Sequence, residues 1–277
     1  MRLQFDKMHG IGNDFVVLAE SELKGELRPD QIRRLADRRL GVGCDQVLIA
    51  AAPNGDDADV TMRIFNADGS AAMQCGNGVR CFARYVRDRG LVGDESAIRV
   101  ATPSGVVETT ILDDGRVRAA LGIPDFRPAA VPMRVSKECE SYRLRLNGEQ
   151  VTIGAVSMGN PHAVLIVDDA DAAPVASLGA RIQGHEWFPD SVNVGFMQVL
   201  GRGHVRLRVY ERGVGETLAC GSGACAAVAV GVRRGALDRR VQVDLNGGSL
   251  EIEWPEDRAP VWMTGPAERV FAGEIEI

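Results

Sequence analysis

Short runs of alternating apolar and polar residues, separated by glycine-bearing turns, dominate the chain and recur in two matching sets. Val60-Thr61-Met62-Arg63-Ile64-Phe65 keeps a period of two and predicts a half-buried strand. Val205-Arg206-Leu207-Arg208-Val209-Tyr210 repeats the pattern 145 residues later. Each run leads into Cys-Gly-x-Gly, at Cys75 and Cys220, and then into a helical pattern. After Cys75, residues Val79, Phe82, Ala83 and Val86 share one face, and Gly90 ends the helix. After Cys220, the run Ala224 to Val230 is small and apolar on every side, which predicts a helix enclosed by protein. An earlier helix is expected to be capped by Asp30, to bury Ile32, Leu35 and Ala36, and to stop at Leu40-Gly41.

The register extends outward with small shifts. Gly12 to Leu18 lies over Gly159 to Leu165, and Gln46 over Asn193, both at an offset of 147; Val100 to Glu108 lies over Val243 to Glu251 at 143. The last pair reads as hairpins around Ser104-Gly105 and Gly247-Gly248. Four matches in one order indicate a duplication rather than a solenoid. The expected fold is α+β: two pseudosymmetric domains, each a barrel-like mixed sheet around a central helix, with a site in the cleft between them. The domains are expected over 1–121 and 122–265.

Composition narrows the function. The 277 residues are 45% hydrophobic and 25% charged, as in ordinary globular chains, and allow two modest cores. A net charge of −6 argues against nucleic acid or an anionic membrane as partner. No apolar run is long enough to span a bilayer, and the first residues lack a signal-peptide core. A cytoplasmic protein with reduced cysteines follows as the expectation. With four histidines and no paired CxxC motif, no metal site is expected.

A thiol at a helix N-terminus faces unpaired N–H groups and the positive end of the dipole, so its pKa is expected to fall. Cys44, Cys81, Cys139 and Cys225 read instead as buried small hydrophobes. Gly76-Asn77 and Gly221-Ser222 present backbone donors suited to a carboxylate. An amino-acid α-carbon held between two such thiols loses its proton to one and regains one from the other, with inversion. The lysines are Lys7, Lys24 and Lys137, none in a glycine-rich phosphate-binding context, so a lysine-bound cofactor is not expected. Asn13, Gln46 and Asn66 in one half, and Asn160, Asn193, Glu211 and Arg212 in the other, read singly as turns or caps. Their clustering at duplicated positions makes them candidate ligand contacts, with Arg212 as a carboxylate clamp. His162 reads either as a charge-dependent tuner of a thiol or as a structural histidine. Arg84, Arg87 and Arg89 read as a solvated helix face.

With these residues placed, the chain resembles the diaminopimelate epimerase family. The motifs are Gly10-Ile11-Gly12-Asn13-Asp14-Phe15, Asn66-Ala67-Asp68-Gly69-Ser70, Gln74-Cys75-Gly76-Asn77-Gly78, Gly159-Asn160-Pro161-His162, and Glu211-Arg212-Gly213 through Thr217 to Cys225. The resemblance implies interconversion of LL- and meso-2,6-diaminopimelate without a cofactor, in the route to bacterial lysine and peptidoglycan. It implies Cys75 and Cys220 as the acid/base pair, and Gly76, Asn77, Gly221 and Ser222 as a carboxylate cradle. It further implies Asn13, Gln46, Asn66, Asn160, Asn193, Glu211 and Arg212 as substrate contacts, and His162 and Glu211 as groups that tune the thiols. It also suggests that the tail 266–277 packs on the first domain. A homodimer is expected from base rates alone. The competing readings are a proline-racemase-like enzyme, a phenazine-biosynthesis-like isomerase without the thiol pair, and a thiol redox or ligand-binding protein without turnover.

Overall fold

In the computed structural model, which describes all residues except Gln74 and Asn147, the alternating runs form a mixed sheet in each of two units. One unit comprises residues 1–120 with 264–277, the other residues 121–263. The first holds β1 (Arg2–Gly10), β2 (Asn13–Ala19), α1 (Pro29–Ala36), β3 (Gln46–Ala51), β4 (Val60–Asn66), α2 (Gly76–Asp88), β5 (Ala97–Thr102), β6 (Gly105–Ile111) and β7 (Val117–Ala120). The second holds β8 (Tyr142–Leu146), β9 (Glu149–Ser157), β10 (Pro161–Ile166), α3 (Val175–Gln183), β11 (Asn193–Gly201), β12 (His204–Glu211), β13 (Gly215–Thr217), α4 (Gly221–Arg233), β14 (Arg240–Leu245) and β15 (Gly248–Glu253). The chain continues through β16 (Trp262–Gly265) and returns to the first unit as β17 (Glu268–Glu276).

The two sheets repeat one pairing sequence. From β1 to β6, successive neighbours pair antiparallel, parallel, antiparallel, parallel and antiparallel. The series β9, β10, β11, β12, β14 and β15 pairs in the same alternation. Such agreement is the duplication expressed as hydrogen bonding. β17 lies antiparallel to β1 along its length, with Phe271 edge-to-face on Phe5 at 5.8 Å between ring centroids. In the second unit β8 occupies the corresponding place beside β9.

Each sheet curls around one helix. α2 packs on strands from both ends of its sheet, β1 and β2 as well as β6 and β7. Phe82 and Val86 are fully buried, each contributing roughly 1.5–3 kcal/mol of apolar burial. α4 is buried from Gly223 to Gly231, as its all-round apolar pattern predicts. Its fit is close: a methyl group on Gly154 of β9 would meet Val230 Cγ1 at 2.4 Å. No helix among the described residues is long and apolar enough to cross a membrane.

Two local expectations are corrected. α1 begins after Arg28, not Asp30: Pro29 sets the first helical φ, and the Gln31 side chain accepts from the Arg28 N–H at 3.0 Å. Asp30 instead takes the Arg28 guanidinium, and the helix ends at Ala36 because Asp37 turns extended and accepts from Arg39 and Leu40 N–H. At the C-cap of α2, Arg89 is not a solvated surface group; it ion-pairs at 2.7 Å with Asp6, which is 1% exposed.

Candidate active site

Both cysteines cap their helices in the same extended conformation, Cys75 at φ −147°, ψ 107° and Cys220 at φ −128°, ψ 103°. The third residue beyond each is glycine for a steric reason. A Cβ on Gly78 would stand 3.2 Å from Cys75 Sγ, and one on Gly223 would stand 3.1 Å from Cys220 Sγ. Each glycine lets the helix N–H groups close on the sulfur; Gly78 N–H donates to Cys75 Sγ at 3.3 Å.

Around Cys75 the residues come from the ends of β2, β3 and β4. The thiol donates to Asn13 Oδ1 at 3.6 Å, and Asn77 Nδ2 donates to the same oxygen at 3.3 Å. Gln46 Nε2 donates to Asn66 Oδ1 at 3.0 Å, and Asn66 Nδ2 to Ser70 Oγ at 3.1 Å. The register brings these two together, since Gln46 and Asn66 are partners across β3 and β4. Gln46 Oε1 is buried without a partner among the described residues.

Behind Asn13 stands a charged cluster that sequence reasoning missed. Asn13 Nδ2 donates to Asp45 Oδ2 at 2.8 Å, and Arg38 bridges Asp45 and Asp14 at 2.8 Å each. Lys7 pairs with Asp14 at 2.6 Å and also donates to the Gly43 carbonyl. Burial alone would raise the Asp14 carboxyl, but hydrogen bonds from Arg38 and Lys7 hold it well below the ordinary carboxylate range. The only early sign of this cluster was adjacency: Asp14 follows Asn13, and Asp45 precedes Gln46.

Around Cys220 the groups differ. Its thiol lies 3.7 Å from Ser222 Oγ and hydrogen-bonds the Glu211 carboxylate, which also accepts from Thr217 Oγ1 at 2.5 Å. Asn160 Nδ2 donates to Ser222 Oγ at 3.3 Å, and His162 Nε2 is 2.9 Å from Asn160 Oδ1. Asn193 commits both ends of its amide to backbone, the Pro161 carbonyl at 3.0 Å and the Arg212 N–H at 2.9 Å. The exposed Arg212 guanidinium contacts the Asp190 carbonyl at 3.2 Å.

The electrostatics overturn one expectation, for Cys220, and decide between the two readings of His162. Cys220 is not depressed by its helix: burial pushes the thiol well above its ordinary range, and the Glu211 charge adds to the rise. Ser222 and the Gly223 N–H pull the other way and lose. His162 is not a charged tuner either. Burial, helped by the Arg212 charge, pushes it down to about 3, so the ring is neutral at ordinary pH. Cys44 and Cys81 are buried and pushed up to about 12, consistent with inert core thiols. Among the described residues no group of three or more His, Cys, Asp or Glu is arranged to hold a metal.

A family model described as "Diaminopimelate epimerase" matches residues 5–126 and 154–270. The chain belongs to the diaminopimelate epimerase family. It is 52% identical over 277 residues to the diaminopimelate epimerase of Nitrosospira multiformis, covering 100% of this chain and 99% of that protein. It is 55% identical over 279 residues to that of Thioalkalivibrio sulfidiphilus, covering both completely. Among solved structures it is similar to a probable proline racemase from Agrobacterium radiobacter, at 16% identity and TM-score 0.71, over 99% of this chain and 93% of that one. It is also similar to a phenazine biosynthesis protein from Bacillus anthracis, at 15% identity and TM-score 0.67, over 100% of both. At such identities these structures establish a shared fold only. The chain carries one Cys-Gly-x-Gly cap in each of its units.

Proposed function

We propose that this chain interconverts LL- and meso-2,6-diaminopimelate without a cofactor, with Cys75 and Cys220 as the two acid/base groups. Full-length identity to named diaminopimelate epimerases supports the substrate. The observation that carries the mechanism is the pair of identically shaped cysteine N-caps, one per unit.

One thiolate removes the α-proton and becomes a thiol; the other thiol delivers its proton to the opposite face and becomes a thiolate. Electrons left on the α-carbon spread into the substrate carboxylate. Backbone donors at Gly76-Asn77 and Gly221-Ser222 stabilise the charge that develops there. Cys220, buried against Glu211, enters in the protonated form and serves as the proton donor in the direction that begins at Cys75. Asn13, Gln46, Asn66, Asn160, Asn193, Glu211 and Arg212 contact the substrate, mostly at its distal, non-reacting end, while Asn13 and Glu211 also hydrogen-bond the two thiols. The residues of each unit form one epimerase domain, and the enzyme works in the cytoplasm as a homodimer, a reading supported by the acidic composition and by the commonness of two-fold assemblies.

The test supplies LL- or meso-diaminopimelate in D2O with no added cofactor. Deuterium should enter the α-position as the isomers interconvert, and Cys75→Ala and Cys220→Ala should each abolish interconversion. Undiminished turnover in either variant overturns the two-thiol reading. Sedimentation at micromolar concentration checks the dimer.

A further inference from the structure

Asn13 and Asn160 occupy equivalent points of the duplication, yet they turn opposite ends of their amides toward the neighbouring cysteine cap. Asn13 presents Oδ1, which accepts from the Cys75 thiol and from Asn77. Asn160 presents Nδ2, which donates to Ser222 Oγ beside Cys220. What differs is the group behind each amide. A carboxylate can only accept, so Asp45 must receive Asn13 Nδ2 and leave the oxygen facing the thiol. In the second half the position equivalent to Asp45 is Val192, and that equivalent to Asp14 is Pro161. There His162 takes Asn160 Oδ1 instead.

Asp45 is itself fixed. Its Oδ1 accepts from Arg38 at 2.8 Å, and its Oδ2 accepts from the Asp14 N–H at 3.1 Å as well as from Asn13. Three donors thus hold the carboxylate in place, Arg38 on one oxygen and Asp14 N–H with Asn13 on the other.

We propose that Asp45, anchored by Arg38, is a positioning residue for Cys75: it locks Asn13 as a hydrogen-bond acceptor, so that the free enzyme holds Cys75 as a donor thiol. The proposal rests on Cys75 being an acid/base of the reaction. An acceptor at 3.6 Å favours the protonated sulfur and opposes the Gly78 N–H, which favours the thiolate. A substrate N–H that captures Asn13 Oδ1 removes this restraint, so ionisation of Cys75 becomes linked to occupancy. The ionisable groups around this corner are Lys7, Asp14, Arg38 and Asp45 on the Asn13 side, and Arg80, Cys81 and Glu268 on the α2 and β17 side.

Asp45→Asn gives the test. The new amide must set its NH2 either against the Arg38 guanidinium or against Asn13 and the Asp14 N–H. The first opposes a full charge, so the second prevails, and Asn13 turns its own Nδ2 to the sulfur. Rates of iodoacetamide alkylation at Cys75, followed by peptide mass across pH without substrate, report the change. The midpoint should fall by about one pH unit in Asp45→Asn, the size expected when a hydrogen bond to a charged group is gained. Loss of the Asp45 charge would act in the same direction, so the same substitution is made in an Asn13→Ala background, where the shift should vanish. Because the Asp45 side chain is 44% exposed, the substitution is compatible with the fold, which a thermal melt verifies. An unmoved midpoint in a folded Asp45→Asn enzyme overturns the proposal, as does a shift that persists without Asn13. Neither result depends on turnover, so failure of the epimerase reading is recognised separately, by the wild-type enzyme in D2O.

Discussion

His162 Nε2 lies 2.9 Å from Asn160 Oδ1, and because the amide oxygen can only accept, the buried neutral ring is the donor. Its ionisation sets an acid limit on stability. The unfolded imidazole takes up a proton near 6.5 and the folded one only near 3, so between these values the unfolded chain binds more protons. The stability gained by keeping the ring neutral is complete above about 6.5 and is lost progressively as pH falls toward 3. His162→Gln should cost about 1–3 kcal/mol at pH 7 through lost packing. The gap from wild type should narrow below pH 6 by up to about 1.4 kcal/mol per unit, read from urea midpoints.

Cys220 carries the opposite bias to the one a helix N-terminus alone would give. Glu211→Gln removes the charge that adds to burial in raising the thiol. Thiolate ultraviolet absorbance of a variant retaining only Cys220 should then appear at lower pH, by about one unit. An unchanged titration would place the whole rise in burial.

Gly154 on β9 tests the enclosure of α4. Gly154→Ala should destabilise by about 1–3 kcal/mol, since the added methyl overlaps Val230. Combining it with Val230→Ala should recover part of that loss in thermal melts, because the substitutions share one contact.

Arg89→Ala should cost about 2–3 kcal/mol by leaving Asp6 buried with, among the described residues, only the more distant Arg269, at 3.8 Å, in reach. Arg84→Ala, on the exposed i,i+4 pair with Asp88, should cost no more than about 0.5 kcal/mol. Chemical denaturation of the two variants side by side distinguishes them.

Periodicity was enough to expose the duplication, because a half-buried strand writes its two faces directly into alternate residues. The enclosed α4 was legible for a related reason: a helix apolar on every side has nowhere to go but inside. Cys75 and Cys220 were legible as helix caps because glycine must follow them at a fixed distance. The sign of the Cys220 shift was not, since a local motif reports the dipole but not the burial or the approach of Glu211 from another strand. The charge state of His162 was hidden for the same reason. Asp45 and Arg38 gave no periodic signal, and only the folded loop sets them against Asn13. Arg89 shows the converse error, a charged residue on a polar face whose partner, Asp6, lies on a strand far away in sequence.

β17 stands beside β1 as β8 stands beside β9, but the two neighbours arrive at different times. β8 and β9 leave the ribosome together, whereas β1 waits until all of residues 121–263 has been made. Relative to the second unit, the first is a circular permutation of the same sheet. During vectorial synthesis the Cys220 unit has its whole sequence before the Cys75 unit has received the strand that covers Leu3 and Phe5. A nascent chain therefore completes the unit that holds Cys220 first, and completes the unit that holds Cys75 only when β17 has been made.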